Sequence, residues 1–321
     1  CTSDKTSEGY IGPSQIEIKD GKMTPEALLA FGRLSDPQLS PDGKTILYGV
    51  SYTSIADNRS CRNLFLVNAD GTSPRQLTRD GKSISCARWC NDGKSVAYVQ
   101  GGQIWKADVR GLSGEKPSLV KRQQLSDVKE GVGEFKFSPN ESKVLYVSYV
   151  HSDVKTPKDS DPALDKASAY VAEDLMYRHW DHWVTELPHT YIADFSKGIT
   201  RDNSTDILAG ESKLYELPTE PFSGLEQLDC SPDGKYIAYS CKKKTGKEYA
   251  FSTNTEIYIY DTGTGECQVI PMGGGYDTNP LWSPDGKSIV WLSMARDGYE
   301  ADKVRLMAAD FTDGSVSNIR D

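Results

Sequence analysis

Histidine is scarce in this 321-residue sequence: four occur, and none follows His189. Long apolar runs are missing too. Nothing approaches the roughly 20 consecutive apolar residues that a membrane-spanning helix needs, so the chain reads as soluble, or at most tethered at one end. Basic residues are in deficit, with 37 Lys and Arg against 46 Asp and Glu and a formal charge of −9. A surface of that sign repels phosphate backbones, and no nucleic-acid partner is expected. Cysteine is present, but not in a metal pattern. Cys86-x3-Cys90 has neither a second cysteine pair nor nearby histidines, so no zinc template is met. No cofactor motif is present, and none is expected.

What remains is informative. The opening Cys1-Thr2-Ser3-Asp4-Lys5, followed by a polar stretch to about Met23, looks like that of a mature bacterial lipoprotein trimmed at an acylated cysteine. Residues 1–22 are then expected to be a disordered tether, and the protein to be exported, periplasmic or anchored to the outer membrane through Cys1. In that setting Cys61, Cys86, Cys90, Cys230, Cys241 and Cys267 either pair or remain buried thiols, and their spacing does not decide between these.

One short turn recurs along the rest of the chain. Ser40-Pro41-Asp42-Gly43 returns as Ser231-Pro232-Asp233-Gly234 and Ser283-Pro284-Asp285-Gly286, with weaker copies at Cys90-Asn91-Asp92-Gly93 and Ser138-Pro139-Asn140-Glu141. Proline presets the first turn position, and Asp-Gly supplies the bend and the positive φ. Each copy is followed by a β-branched and aromatic run: Lys44–Val50, Lys94–Val99, Lys143–Tyr149, Lys235–Ser240 and Lys287–Leu292. A third strand is expected at Asn63–Asn68, Gln103–Asp108, His189–Asp194, Glu256–Asp261 and Val304–Asp310. Each of these leads into a glycine turn and a short fourth strand, clearest at Pro74–Thr78.

Four strands per unit, repeating about every 50 residues with one long interval, is the signature of a β-propeller. The fold class is therefore all-β. Residues 23–321 form a propeller of five four-stranded blades, an incomplete ring, with one helical insertion in the third blade. In each blade the A–B and C–D turns share one face, while the B–C and D–A connections share the other. The A–B and C–D turns are uniformly short. The B–C connections vary: 51–62, 100–102, 151–188, 242–255 and 295–303. Variable length belongs where binding happens, so the B–C face is the functional one.

The longest connection, 151–188, holds His151, His179 and His182, the acidic pair Glu173-Asp174 and the run Tyr177-Arg178-His179-Trp180-Asp181-His182-Trp183. Asp161-Pro162 has the form of a helix start, and a helix is expected over about 163–179. Three readings of the dense run compete. It packs as an aromatic plug, it binds a metal through His179, Asp181 and His182, or it lines a substrate cavity. In the last case, carboxylates would hold a cationic amino terminus, and the Arg178 guanidinium a carbonyl or carboxylate.

Several segments resemble the propeller of prolyl-oligopeptidase-family serine peptidases. The entry Met23-Thr24-Pro25-Glu26-Ala27-Leu28-Leu29 and Arg33-Leu34-Ser35-Asp36-Pro37-Gln38-Leu39 is similar to theirs. Leu175–Trp183, Ser252-Thr253-Asn254 and Arg296–Lys303 resemble the dipeptidyl-peptidase and acylaminoacyl-peptidase branch. The resemblance covers about 23–321. It implies a propeller that covers the active site of a C-terminal α/β-hydrolase domain, admits short peptide substrates and grips their amino end. By that resemblance the substrate-binding residues are Glu173, Asp174, Tyr177, Arg178, His179, Trp180, Asp181, Trp183, Asn254, Glu300 and Asp302, and Glu300 and Asp302 compete with Glu173-Asp174 for the acidic role.

The departure concerns catalysis. The family's nucleophile sits in a Gly-x-Ser-x-Gly elbow, which is absent here, and no late histidine is available. The sequence is thus expected to lack the hydrolase domain and to be inactive alone. A non-enzymatic periplasmic scaffold propeller is the alternative. A glycosidase-like propeller would need carboxylate pairs on several A strands, which are too poor in acids.

Overall fold

The computed structural model describes residues 8–221 and 223–321. Five antiparallel sheets of four strands follow one another, each in the order A-B-C-D. Blade one is Arg33–Leu39, Thr45–Ser54, Arg59–Asn68 and Arg75–Gln76, and blade two Ser85–Trp89, Ser95–Gln100, Gln103–Arg110 and Ser118–Gln124. Blade three is Phe135–Phe137, Lys143–His151, Glu186–Asp194 and Thr205–Asp206. Blade four is Leu228–Cys230, Tyr236–Cys241, Glu256–Asp261 and Cys267–Val269, and blade five Tyr276–Trp282, Ser288–Met294, Arg305–Thr312 and Ser315–Arg320. The fold is that of propeller blades, as the repeat implied.

The repeated turn explains its own sequence. Ser40 Oγ donates to Asp42 Oδ1 (2.7 Å) and accepts from the Thr45 amide (2.9 Å), while the Gly43 amide donates to the Ser40 carbonyl (2.8 Å). Ser231–Asp233–Tyr236 and Ser283–Asp285–Ser288 repeat these bonds. In blade three Asn140 replaces the aspartate, and Glu141 takes the glycine's positive φ of 52°. In blade two Cys90 has no hydroxyl, and Ser95 bonds Asp92 from the far side of the turn instead. The degraded copies keep the bonding pattern with other atoms.

The A strands share a second feature that the repeat did not announce. Asp36, Cys86 and Asn279, each four residues before its turn, have positive φ (53°, 48° and 54°), and the ladder to strand B shifts register there. An extra residue is left unpaired in the strand, a β-bulge that sharpens local twist.

The chain divides into two compact units, one ending at Phe135 and taking in Gly198–Thr200, the other comprising 136–197 and 201–321. In the first, Leu47, Leu64, Leu66, Ile84, Trp89, Val96 and Tyr98 form a core of buried residues from the first two sheets. In the second, Ile257, Ile259, Trp282, Ile289, Trp291 and Phe311 do the same for blades four and five. Alternating residues of each strand supply them, because successive strand side chains point to opposite faces.

Two expectations change, and one open choice is settled. The blade-one B–C connection is not 51–62: strands B and C extend to Ser54 and from Arg59, leaving a tight hairpin. Of the expected tether, Cys1 and residues 2–7 lie outside the described residues, but Gly9–Ile11 are held on blade one. Asn63 Nδ2 donates to the Ile11 carbonyl (3.1 Å), Arg59 to the Gly9 carbonyl, and Ile11 is buried. An apolar side chain and the needs of a buried asparagine hold this stretch down. The six described cysteines are free thiols, five of them buried. No helix among the described residues is long and apolar enough to cross a membrane.

Candidate functional site

The blade-three connection, 152–185, is the main departure from expectation. Asp161 does cap a helical start, accepting from the Ala163 amide (2.9 Å), but the turn Pro162–Leu164 ends after three residues. The expected helix over 163–179 does not form. Residues 161–175 are exposed throughout, so no apolar stripe is buried, and short helices without such a face are marginal in water. The insertion is instead zipped at its base. Ser152 donates through its amide to the Thr185 carbonyl (3.0 Å) and through Oγ to that of Val184 (2.7 Å). The Val171 amide donates to the Lys155 carbonyl (2.7 Å). Its end is a two-residue hairpin, Arg178–His179 against His182–Trp183.

Between this insertion and blade four lies a cavity of about 1000 Å³. Three segments wall it: the insertion (152–155, 171–177, His179 and Val184, with Leu187 of the strand that follows), residues 212–216 of the connection from blade three to blade four, and 244–249 of blade four's B–C connection. These are B–C and D–A connections, on the face the loop lengths indicated. Glu173 and Asp174 line it and are exposed. Asp174 accepts from the Leu175 amide (2.8 Å) and presses on the opposite wall: a Cβ on Gly246 would lie 2.5 Å from its carboxylate oxygen. Gly246 also has φ +61°, so glycine is required there on two counts.

The cavity wall rests on a buried carboxylate. Glu216 Oε1 lies 2.5 Å from His179 Nε2, and Glu216 Oε2 accepts from the Tyr249 hydroxyl at 2.5 Å. Glu216 and His179 are both buried, and Lys242 Nζ stands 4.0 Å over the Tyr249 ring. The hydrogen bond to Glu216 holds the His179 pKa above its ordinary value, outweighing burial. Burial, and then Glu216, push the Tyr249 phenol up. Burial lowers Lys242.

The remaining expected site residues divide. Tyr177 lines the cavity and stacks on Trp183 (6.2 Å), which also receives the Arg178 guanidinium at 5.1 Å. Trp180 is 76% exposed and Trp183 48%, so the run is no buried plug; only His179 turns inward. Asp181 pairs with His182 at the exposed tip (3.1 Å). With His179 committed to Glu216, the three do not gather around one point, and among the described residues no three His, Cys, Asp or Glu do.

Asn254, Glu300 and Asp302 lie outside the cavity lining. Asn254 Nδ2 donates to the Gly275 carbonyl (3.0 Å), and its amide joins Ser252 and Thr253 on the Asp297 carboxylate. Asp302 takes a two-point contact from Arg296 (3.1 and 2.9 Å), which lowers its pKa to about 2. Glu300 is exposed. Glu216 and Tyr249 were not foreseen: each is a single polar residue without a motif, and only the fold brings them to His179.

The chain is 42% identical over 300 residues to dipeptidyl-peptidase 5 of Porphyromonas gingivalis, covering 92% of this chain and 42% of that protein. It is a sequence relative of dipeptidyl-peptidase 5. The protein of the same name from Porphyromonas endodontalis is 40% identical over 299 residues, with the same coverage. The chain thus spans about two fifths of the length of these curated relatives. No protein-family profile matches it. Among solved structures, Pyrococcus horikoshii acylaminoacyl peptidase superposes with a TM-score of 0.56 at 16% identity, over 90% of this chain and 39% of that one. A Mycobacterium tuberculosis puromycin-hydrolyzing peptidase gives 0.51 at 14% identity, over 89% and 38%. At such identities the likeness concerns the fold. The dipeptidyl-peptidase 5 relationship agrees with the peptidase-family resemblance of the sequence.

Proposed function

We propose that this chain is the substrate-gating propeller of an exported serine peptidase that removes short units from the amino end of peptides. Its Ser, Asp and His would lie on an α/β-hydrolase domain outside these 321 residues, and the chain alone would not hydrolyse peptides. One observation carries the reading: in a relative of dipeptidyl-peptidase 5, Glu173 and Asp174 line an open cavity on the variable-loop face. Two exposed carboxylates side by side suit a peptide's ammonium group, which offers three donors to charged acceptors. Tyr177, which lines the same cavity, suits the side chains that follow. Export, with anchoring through Cys1, belongs to the same proposal, and palmitate labelling with cell fractionation tests it.

The experiment on the site uses the full-length enzyme. Glu173→Gln with Asp174→Asn should raise KM for free-amine dipeptidyl substrates about tenfold, the loss of one charge-assisted hydrogen bond. An unchanged kcat/KM rejects the amino-terminus role.

A further inference from the structure

We propose that Glu216 is the positioning residue of this cavity, a single buried carboxylate that holds the insertion and the blade-four wall at the separation a peptide needs. The inference rests on the cavity being the peptide site. Its own support is the geometry. One Glu216 oxygen takes His179, from the hairpin that ends the insertion; the other takes Tyr249, from the helical turn Gly246–Phe251 on the facing wall. Glu216 itself is fixed through its backbone, whose carbonyl accepts from Cys241 Sγ at the end of blade four's strand B (3.4 Å).

Residues 211–216 are also tied to the blade-four wall by Lys243 to Glu211 and Lys213 to Thr245, but the insertion side has little other burial. Along the insertion, from Asp161 to Trp183, His179 alone is buried and Met176 half-buried. The Asp174 carboxylate and the Gly246 backbone approach within van der Waals distance a few residues from the two ends of this bridge. A buried carboxylate that lost either partner would keep its desolvation penalty without the compensating bond, so the three groups keep one arrangement. Glu173 and Asp174 sit on the insertion side of the bridge, and their distance from the opposite wall follows from it. Glu216 would touch no peptide and act through His179 and Tyr249.

The groups facing His179 are Glu216, Tyr249, Lys242 and Glu220, with Arg178, Asp181 and His182 on its own hairpin. With only four histidines in the chain, each imidazole can be followed by NMR. The test uses the 321-residue chain, trialanine and N-acetyltrialanine. In Glu216→Gln the His179 titration midpoint should fall, because the hydrogen bond that raises it is weakened, and trialanine binding should weaken about tenfold. Tyr249→Phe, which removes one hydrogen bond and introduces no new polar group, should weaken binding severalfold while leaving His179 above its ordinary value. Glu216→Asp should recover part of the loss. An unmoved His179 midpoint in Glu216→Gln, or undiminished trialanine binding in both Glu216→Gln and Tyr249→Phe, overturns the proposal. The acetylated peptide separates the two readings. If wild type binds both peptides equally and Glu216→Gln weakens both, positioning stands and the ammonium role of Glu173 and Asp174 falls.

Discussion

Blades two and three have the same strand order but opposite ways of joining strand B to strand C. Blade two turns in two residues, Gly101-Gly102, both at positive φ (59° and 69°) and flanked by the paired Gln100 and Gln103. That geometry fits the twist of the flanking strands and leaves nothing to bind a ligand. Blade three pairs just as fully, Lys143–His151 against Glu186–Asp194, yet places residues 152–185 between the two strands. Loop closure grows only slowly with length, so the sheet tolerates either connection. The sheets secure the fold, and the insertion is free to carry chemistry, held by a few buried polar contacts instead of an apolar core.

That division can be broken from either side. Trp291, 1% exposed in blade five, should be the most costly site: Trp291→Ala is expected to destabilise by about 3–5 kcal/mol in denaturant unfolding. A loss below about 1 kcal/mol would mean that sheet packing is not what secures this unit. A smaller effect is expected at the turns. Ser231 is buried and serves Asp233 and the Tyr236 amide, so Ser231→Ala should cost about 1–2 kcal/mol and leave peptide binding unchanged. A loss of peptide binding without a loss of stability would place function on the wrong face.

The smallest expected effect belongs to the cavity and appears as a pH dependence. His179 has its folded pKa raised above 6.5 by the hydrogen bond to Glu216. The stability it contributes is therefore fully present below about pH 6.5 and is lost as pH rises through the folded value. Unfolding followed between pH 6 and 9 should show this decline, and His179→Gln should flatten it. A decline of equal size in His179→Gln would assign it to other groups.

The repeated turn was legible residue by residue, because Ser-Pro-Asp-Gly encodes a hydrogen-bond pattern closed within six residues, and the strands that follow alternate in and out by local geometry. The degraded copies at Cys90 and Ser138 could be read for the same reason. The insertion was legible only in part. Its length and its polar, aromatic composition set it apart from the other connections, and Glu173, Asp174, Tyr177 and His179 do line a cavity there. Its helix was misread, since helix-forming residues from Ala163 onward carry no buried face, and propensity does not sustain a helix without one. Asn254 and Asp302 carried a family motif, but Asn254 is bonded to the Gly275 carbonyl and to Asp297, and Asp302 to Arg296 of its own loop.

By itself the sequence determined the blade, its turns, its period and the face on which variation collects. All of these follow from contacts between residues near in the chain or one strand apart. Only the tertiary structure decided that His179 would face inward while Trp180 faced out, and that Glu216 and Tyr249 would meet it. Those contacts join three segments through side chains that have no local partner, and no spacing along the chain records where such partners lie.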